Sequence, residues 1–214
     1  MLKKVLIGLA ATVVLAILGI STRPSAFHVE RSVDVKAPTN HIYPLLVDFH
    51  AWTRWSPWEE KDPSMQRTYE GNPRGPGAIY TWAGTGQVGQ GRMTIEEAQL
   101  AQGVKIKLEF LKPFAATNRG SFSFAPDAGT TKVTWAMDGD QTFGMKLAGL
   151  FMDMDTAVGK DFEAGLANLK REAEADAARA AEEAKKAAQA TAAMAEAAVA
   201  SPTPPPAPAS PATN

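Results

Sequence analysis

The chain has 214 residues, with 22 Lys plus Arg against 23 Asp plus Glu, a formal net charge of -1 and no cysteine. The lack of cysteine excludes disulfides, thiolate catalysis and cysteine zinc sites. The charges are interspersed and form no basic stripe of the kind that binds nucleic acid, so we expect no nucleic-acid partner. The length suits one sizeable core, and the two ends differ in composition from the middle, which predicts one domain with appendages.

The first element is an uncharged apolar run over residues 5–20, preceded by two lysines. It falls just short of the roughly 17 to 25 residues of a spanning helix. Arg23 and Pro24 stand where a signal peptidase requires small residues. We therefore expect residues 1–22 to be an uncleaved signal anchor in a bacterial inner membrane, with the globular domain in the periplasm. Cleavage and release into the periplasm is the alternative.

The next stretch, AFHVERSVDVKAP, alternates apolar and polar residues and predicts a half-buried strand. Arg31 falls on its apolar side, so either a bulge shifts the register or a charge points inward. Pro38 opens PTNHIYPLLVDF, whose apolar face predicts a helix that Pro44 keeps short or kinked. The stretch AWTRWSPWEEKDPSM then fits neither a helix nor a strand, which predicts a loop held out of regular structure by its two prolines.

Six further segments fit strands separated by turn residues. They are MQRTYEG, GAIYTWAG, GQGRMTIEEAQ, GVKIKLEFLKPF, ATNRGSFSFAPD and TTKVTWAMDGD. Together with the first strand they predict a seven-stranded antiparallel meander. Clean alternation in two of them predicts that the sheet has one wet face and one apolar face.

The segment after the strands is predicted to cover the apolar face of the sheet. In FGMKLAGLFMDMDTAVGKDFEAGLANLKREAEA apolar residues recur at spacings of three and four, which predicts a long amphipathic helix. Residues 173–200 are mostly alanine with charged residues and predict a solvated helical extension. Residues 201–214 are rich in proline and predict a disordered tail. The predicted globular domain is then 27–172.

A strand, a short helix, six antiparallel strands and a long C-terminal helix define an α+β fold. A family likeness rests on three segments that follow one another within about residues 27–170. They are VERSVDVKAP, WTRWSPW and GKDFEAGLANLK. They resemble the SRPBCC superfamily of START-like, helix-grip proteins, which includes polyketide cyclase/dehydrase-like proteins, and its membrane-anchored bacterial branch in particular. The resemblance implies a curved sheet of about seven strands gripping the long helix, with an elongated apolar cavity for hydrophobic molecules between them.

No catalytic or metal-binding set emerges from the polar residues. His28, His41 and His50 lack the spacing of metal ligands and have no accompanying nucleophile motif. Glu96 and Glu97, adjacent on a strand, face different ways, as do Asp153 and Asp155, two apart on a helix. Asp138 and Asp140 flank Gly139 and are typical turn residues. We therefore expect no catalytic residue, no metal and no cofactor.

Aromatic and methionine side chains from separate strands and from the facing helix either line an adaptable cavity or fill a solid core. The resemblance favours a cavity. The candidate ligand-binding residues are Trp52, Trp82, Phe110, Phe122, Trp135, Met137, Phe151, Met154, Val158 and Arg31. Of these, Arg31 either anchors a ligand carboxylate or carbonyl, or pairs within the protein.

The tryptophan stretch lies where this fold wraps one end of the cavity. We expect Trp55 and Trp58 to be buried packing anchors and Trp52 to touch the cavity mouth. The predicted function is a membrane-anchored binding protein for a hydrophobic small molecule or lipid. One alternative is a cyclase or dehydratase, for which the candidate polar groups are Arg31, Tyr80, Glu97 and Asn118. A second is a scaffold whose C-terminal tail binds a protein partner that the sequence does not identify.

Overall fold

The computed structural model describes Lys3 and residues 26–86, 88–113, 115–140 and 154–200. The predicted anchor, the proline-rich tail and Phe151 lie outside the described residues, as does the side chain of Met154. Within the described ranges, no helix combines the length and apolar character needed to cross a membrane.

Seven antiparallel strands form one sheet, which confirms the predicted strand number. The strands are β1 (Ala26–Val35), β2 (Gln66–Gly71), β3 (Ala78–Ala83), β4 (Gln90–Gln99), β5 (Gly103–Lys112), β6 (Ala116–Asp127) and β7 (Thr130–Asp140). Their order across the sheet is β1-β7-β6-β5-β4-β3-β2. Only β2 to β7 form a meander. The prediction is wrong for β1, which lies beside β7 because a helical segment separates it from β2.

Pairing between β1 and β7 runs without a break from Ala26 opposite Asp140 to Val35 opposite Thr131. No bulge therefore shifts the register within β1. Arg31 lies on the same face as the buried Val29, because side chains two residues apart on a strand share a face. Of the two alternatives, the structure shows the inward-facing charge.

The segment between β1 and β2 is helical. It contains α1 (Thr39–Val47), a 3-10 helix (Phe49–Arg54) and α2 (Pro57–Lys61). Helix α1 is short and contains Pro44, as predicted. The prediction of an irregular tryptophan loop is wrong. Pro57 occupies the first turn of α2, where a missing N–H costs nothing, and Asp48 caps the 3-10 helix by accepting a hydrogen bond from the backbone N–H of His50 at 2.9 Å.

The long helix α3 (Met154–Ala200) packs one face on the sheet. That face is buried at Phe162, Leu166 and Leu169, which the periodicity predicted. At Gly165 a Cβ atom would lie 2.8 Å from the Trp135 ring and 3.0 Å from Pro57 Cδ, so only glycine permits this close approach. Described residues up to Asp176 belong to one compact unit, and those from Ala177 to another. In the second unit, residues 181–197 are exposed throughout.

Candidate ligand-binding cavity

A cavity of about 270 Å³ lies between the sheet and α3. Strands β3 to β7, the 3-10 helix, α2 and α3 all contribute to its lining. Of the residues predicted from the sequence, the structure places six in this lining. They are Trp52, Trp82, Phe110, Trp135, Met137 and Val158. These six residues come from five separate elements of the chain.

Phe122 is the first of the predicted residues that lie elsewhere. It is only 2% exposed, and its ring packs against Trp52 and Trp55. Its centroid lies 6.1 Å from that of Trp52 and 5.9 Å from that of Trp55, both edge-on. Phe122 thus packs in the core against these rings and is absent from the described cavity lining.

Arg31 also lies outside the cavity lining. Its Nε donates to Glu163 Oε1 at 2.9 Å and its Nη2 to Asp155 Oδ2 at 3.0 Å, both on α3. These hydrogen bonds, first that with Asp155, raise the pKa of Arg31 further above its usual range. A Cβ on Gly159 would collide with the guanidinium, so the glycine makes room for it. Arg31 therefore ties β1 to α3, and its predicted role as a ligand anchor is not what the geometry supports.

Trp135 is the centre of a cluster of aromatic rings, the aromatic wall, that it forms with Phe162, Phe122 and Trp58. Its ring stacks on Phe162 at 4.1 Å between centroids with an interplanar angle of 6°, and on Phe122 at 4.8 Å. Trp58 meets it edge-on at 5.6 Å. Stacked and edge-on geometries are the favoured ones for aromatic pairs. The wall is consequently a connected set of rings that spans β7, α2 and α3.

The tryptophan stretch is fastened by hydrogen bonds from its indoles. Trp55 is 1% exposed and donates from Nε1 to the Leu45 carbonyl at 2.9 Å. Trp52 donates from Nε1 to the Leu46 carbonyl at 3.1 Å. The predicted burial of Trp55 is confirmed. Trp58 was expected to be buried but is half-buried and lines the cavity. Trp52, expected to touch the cavity, does line it and is itself buried.

A polar group interrupts the apolar lining at Glu59 and Tyr80. The Tyr80 hydroxyl donates to Glu59 Oε1 at 3.1 Å, and Arg67 Nε donates to Glu59 Oε2 at 2.7 Å. Burial, followed by the charge of Glu59, raises the pKa of Tyr80. Tyr80 therefore keeps its proton at neutral pH and presents it to the carboxylate.

Asp161 and Ser56 are the remaining polar residues of the described lining. Lys61 Nζ lies 2.6 Å from Asp161 Oδ2, which joins α2 to α3. Sequence reasoning missed Ser56, Glu59, Met65, Val88, Met93 and Asp161 as lining residues. No local signal in the sequence identified them, because these residues from helices, loops and a strand come together only in the folded chain.

Among the polar groups considered for catalysis, only Tyr80 lines the cavity. Glu97 is exposed and pairs with Lys105 at 2.8 Å. Asn118 is buried, with Nδ2 3.7 Å from Met137 Sδ, and its Oδ1 accepts no hydrogen bond from the described residues. The described residues contain no cluster of three or more metal-ligating side chains. Acid-base chemistry in the cavity would thus rest on Tyr80 and its neighbours.

An antiparallel sheet closed by one long helix over an apolar cavity defines a helix-grip, START-like protein. The chain belongs to the polyketide cyclase / dehydrase and lipid transport family, whose model matches residues 26–174. This match covers most of the chain and confirms the predicted superfamily. Family and fold point to hydrophobic-ligand binding or cyclase-like chemistry.

Solved structures share the fold at low sequence identity. The Zhui aromatase/cyclase from Streptomyces sp. R1128 is 17% identical with a TM-score of 0.53, over 70% of this chain and 94% of that one. A protein from Thermobifida fusca is 23% identical with a TM-score of 0.51, over 68% and 92%. One from Nitrosospira multiformis is 18% identical with a TM-score of 0.51, over 68% and 95%. No functionally curated protein matches the chain.

Proposed function

We propose that this protein binds a hydrophobic small molecule or lipid in the cavity between the sheet and α3. The observation that carries the proposal is a cavity of about 270 Å³ with walls of aromatic, methionine and aliphatic side chains. Ligand sites of about 300 to 1,000 Å³ are typical, and they combine apolar walls with a few placed polar groups. The cavity volume lies just below that range, which favours a compact ring system or the end of one acyl chain.

A cavity-filling variant tests this proposal. Leu108 lines the cavity from β5, so Leu108→Trp would fill part of it. Leu111, on the same strand, is 56% exposed, so Leu111→Trp is a matched control. We expect a hydrophobic compound to be extracted from the purified full-length wild type and control, and native mass spectrometry to show its loss from Leu108→Trp. Equal occupancy in the three proteins would rule out this cavity as the binding site.

A second candidate function is cyclase or dehydratase chemistry on a hydrophobic substrate. The specific observation in its favour is the hydrogen-bonded group formed by Tyr80, Glu59 and Arg67 at the cavity wall. The structural neighbour from Streptomyces is an aromatase/cyclase, which suggests cyclisation as the class of reaction. Because the pKa of Tyr80 is raised, its phenol would act as a proton donor and not as a base.

The enzymatic candidate is tested by incubating the full-length chain with a reactive poly-ketone thioester and following ring formation by mass spectrometry. Cyclised product above the uncatalysed level, lost in Tyr80→Phe, would support it. Product yield that is unchanged by Tyr80→Phe would remove the residue from any such reaction. Product no greater than in buffer would leave binding as the function.

We also propose that residues 1–22 tether the domain to the bacterial inner membrane, on its periplasmic side. The apolar run over residues 5–20 and the lysines before it support this proposal. A tether would keep a lipid-binding cavity close to a bilayer. Membrane fractionation after an alkaline wash, with protease accessibility in spheroplasts, tests both parts. Recovery of the chain in the soluble periplasmic fraction would favour the cleaved form instead.

A further inference from the structure

Every charged side chain that lines the cavity in the described part of the chain is acidic. Glu59 enters from α2 and Asp161 from α3. Their partners, Arg67 and Lys61, are absent from the lining, so they neutralise the carboxylates from outside the cavity. No lysine, arginine or histidine of the described ranges faces the space. The polar part of the site therefore offers acceptor oxygens and no cationic donor.

We infer that the cavity selects hydrophobic molecules that carry one N–H or O–H donor, neutral or cationic, and discriminates against carboxylates of the same size. The inference rests on the proposed binding function and specifies its ligand class. This preference is the opposite of that of a cavity with an anchoring arginine, which would favour carboxylates.

The donor preference follows from the hydrogen bonds of Glu59. A carboxylate has about four acceptor positions. Oε2 accepts from Arg67, whereas Oε1 accepts from Tyr80, which itself lines the cavity. One hydrogen bond leaves Oε1 with capacity for a second donor. A ligand hydroxyl or ammonium group placed there would form a charge-assisted hydrogen bond, which is stronger than a neutral one.

The discrimination against anions follows from the same arrangement. A ligand carboxylate would lose its hydration and face Glu59 and Asp161 with no cation among the described lining residues, and such a buried charge is costly. Trp58, Tyr80 and Trp135 also line the cavity. A cationic ligand that met the face of one of these rings would gain a cation–π attraction, which an anion would not.

A matched ligand series tests the inference on the full-length chain. The series is naphthylmethylamine, naphthylmethanol, methylnaphthalene and naphthoate, all substituted at the same ring carbon, with Kd measured by calorimetry at neutral pH. We expect the amine and the alcohol to bind at least about tenfold more tightly than naphthoate, a difference of about 1.4 kcal/mol. Glu59→Gln should reduce this ratio severalfold, since Gln removes the negative charge but keeps an acceptor oxygen.

Glu97→Gln is the control, because this carboxylate is exposed and lies outside the cavity lining. It should leave the ratio unchanged. Asp161→Asn provides a second variant if Glu59→Gln fails to fold, and it should lower the same ratio. Naphthoate binding as tightly as the amine to the wild type, or a ratio insensitive to both cavity variants, would overturn the inference. If methylnaphthalene binds in that case, the binding function stands; if no member of the series binds, both fail.

Discussion

Replacing Trp55 tests whether the tryptophan stretch is part of the core. The ring is 1% exposed and lies 4.7 Å from Trp52, 5.6 Å from Trp135 and 5.9 Å from Phe122 between centroids. Its indole N–H satisfies the Leu45 carbonyl at 2.9 Å. Trp55→Ala would therefore remove three ring contacts and one buried hydrogen bond at once.

Two terms set the expected loss of stability. Truncation of a buried aromatic to alanine costs about 3 to 5 kcal/mol. Leaving the Leu45 carbonyl without its donor adds about 1 to 3 kcal/mol. The sum is about 4 to 8 kcal/mol, a large part of the roughly 5 to 15 kcal/mol of a typical domain. Trp55→Phe keeps a ring but loses the donor, so we expect it to cost about 1 to 3 kcal/mol.

The measurement is urea unfolding followed by far-ultraviolet circular dichroism, with thermal melts alongside. At about 2 to 4 °C per kcal/mol for a domain of this size, Trp55→Ala should lower Tm by at least about 8 °C. Trp55→Phe should fall between that variant and the wild type. A loss below about 1 kcal/mol for Trp55→Ala would contradict the packing described here and would return the stretch to the exposed surface.

Three further predictions concern other parts of the molecule. Gly165→Ala should destabilise the fold by about 1 to 3 kcal/mol in urea unfolding, because the clash with Trp135 outweighs the gain in helix propensity; a stabilised variant would contradict this packing. Hydrogen bonds from Thr85 and Ser64 lower the pKa of Asp62 to about 2 from 3.8, so its contribution to stability is present above about pH 4 and is lost as the pH falls towards 2. The stability difference between wild type and Asp62→Asn should shrink over that window, and a constant difference would refute the assignment. The phenol of Tyr80 should ionise only above the usual tyrosine pKa of about 10. The difference between the spectrophotometric titrations of wild type and Tyr80→Phe measures this, and ionisation at a lower pH would contradict its burial beside Glu59.

The strands were predictable because each alternates in sequence and ends at turn residues. Predicted and observed bounds agree to within a few residues for β4 to β7, where glycine and Pro-Asp turns mark the ends. The position of β1 was not predictable, because periodicity determines which face is buried but not which strand lies alongside. The helical character of the tryptophan stretch was missed for a related reason. Its turns are held by Asp48 and by Pro57 at a helix start, and not by an apolar repeat.

The cavity walls were predictable to the extent that they come from strand alternation, as at Trp82, Phe110 and Trp135. The polar part was not, because Glu59 and Asp161 belong to different helices whose charged residues read as solvated faces. Arg31, in contrast, was a candidate ligand-binding residue that the structure places outside the cavity lining. Its position on an apolar face suggested a ligand, and the helix supplied two carboxylates that no local pattern connects to it.

The place of β1 at the edge beside β7 sets an order of events during synthesis. Val33 pairs with Val133, so the first strand to leave the ribosome waits for the last strand before it gains a partner. Contacts between such distant parts of the chain carry a large loop-closure cost and slow folding. Until then the nascent chain exposes the apolar face of β1. The hairpins of β2 to β7 can form as they emerge, but the sheet becomes complete only when translation has passed β7. The cavity needs Val158, Asp161 and Phe162 of α3 as well, which are synthesised later still.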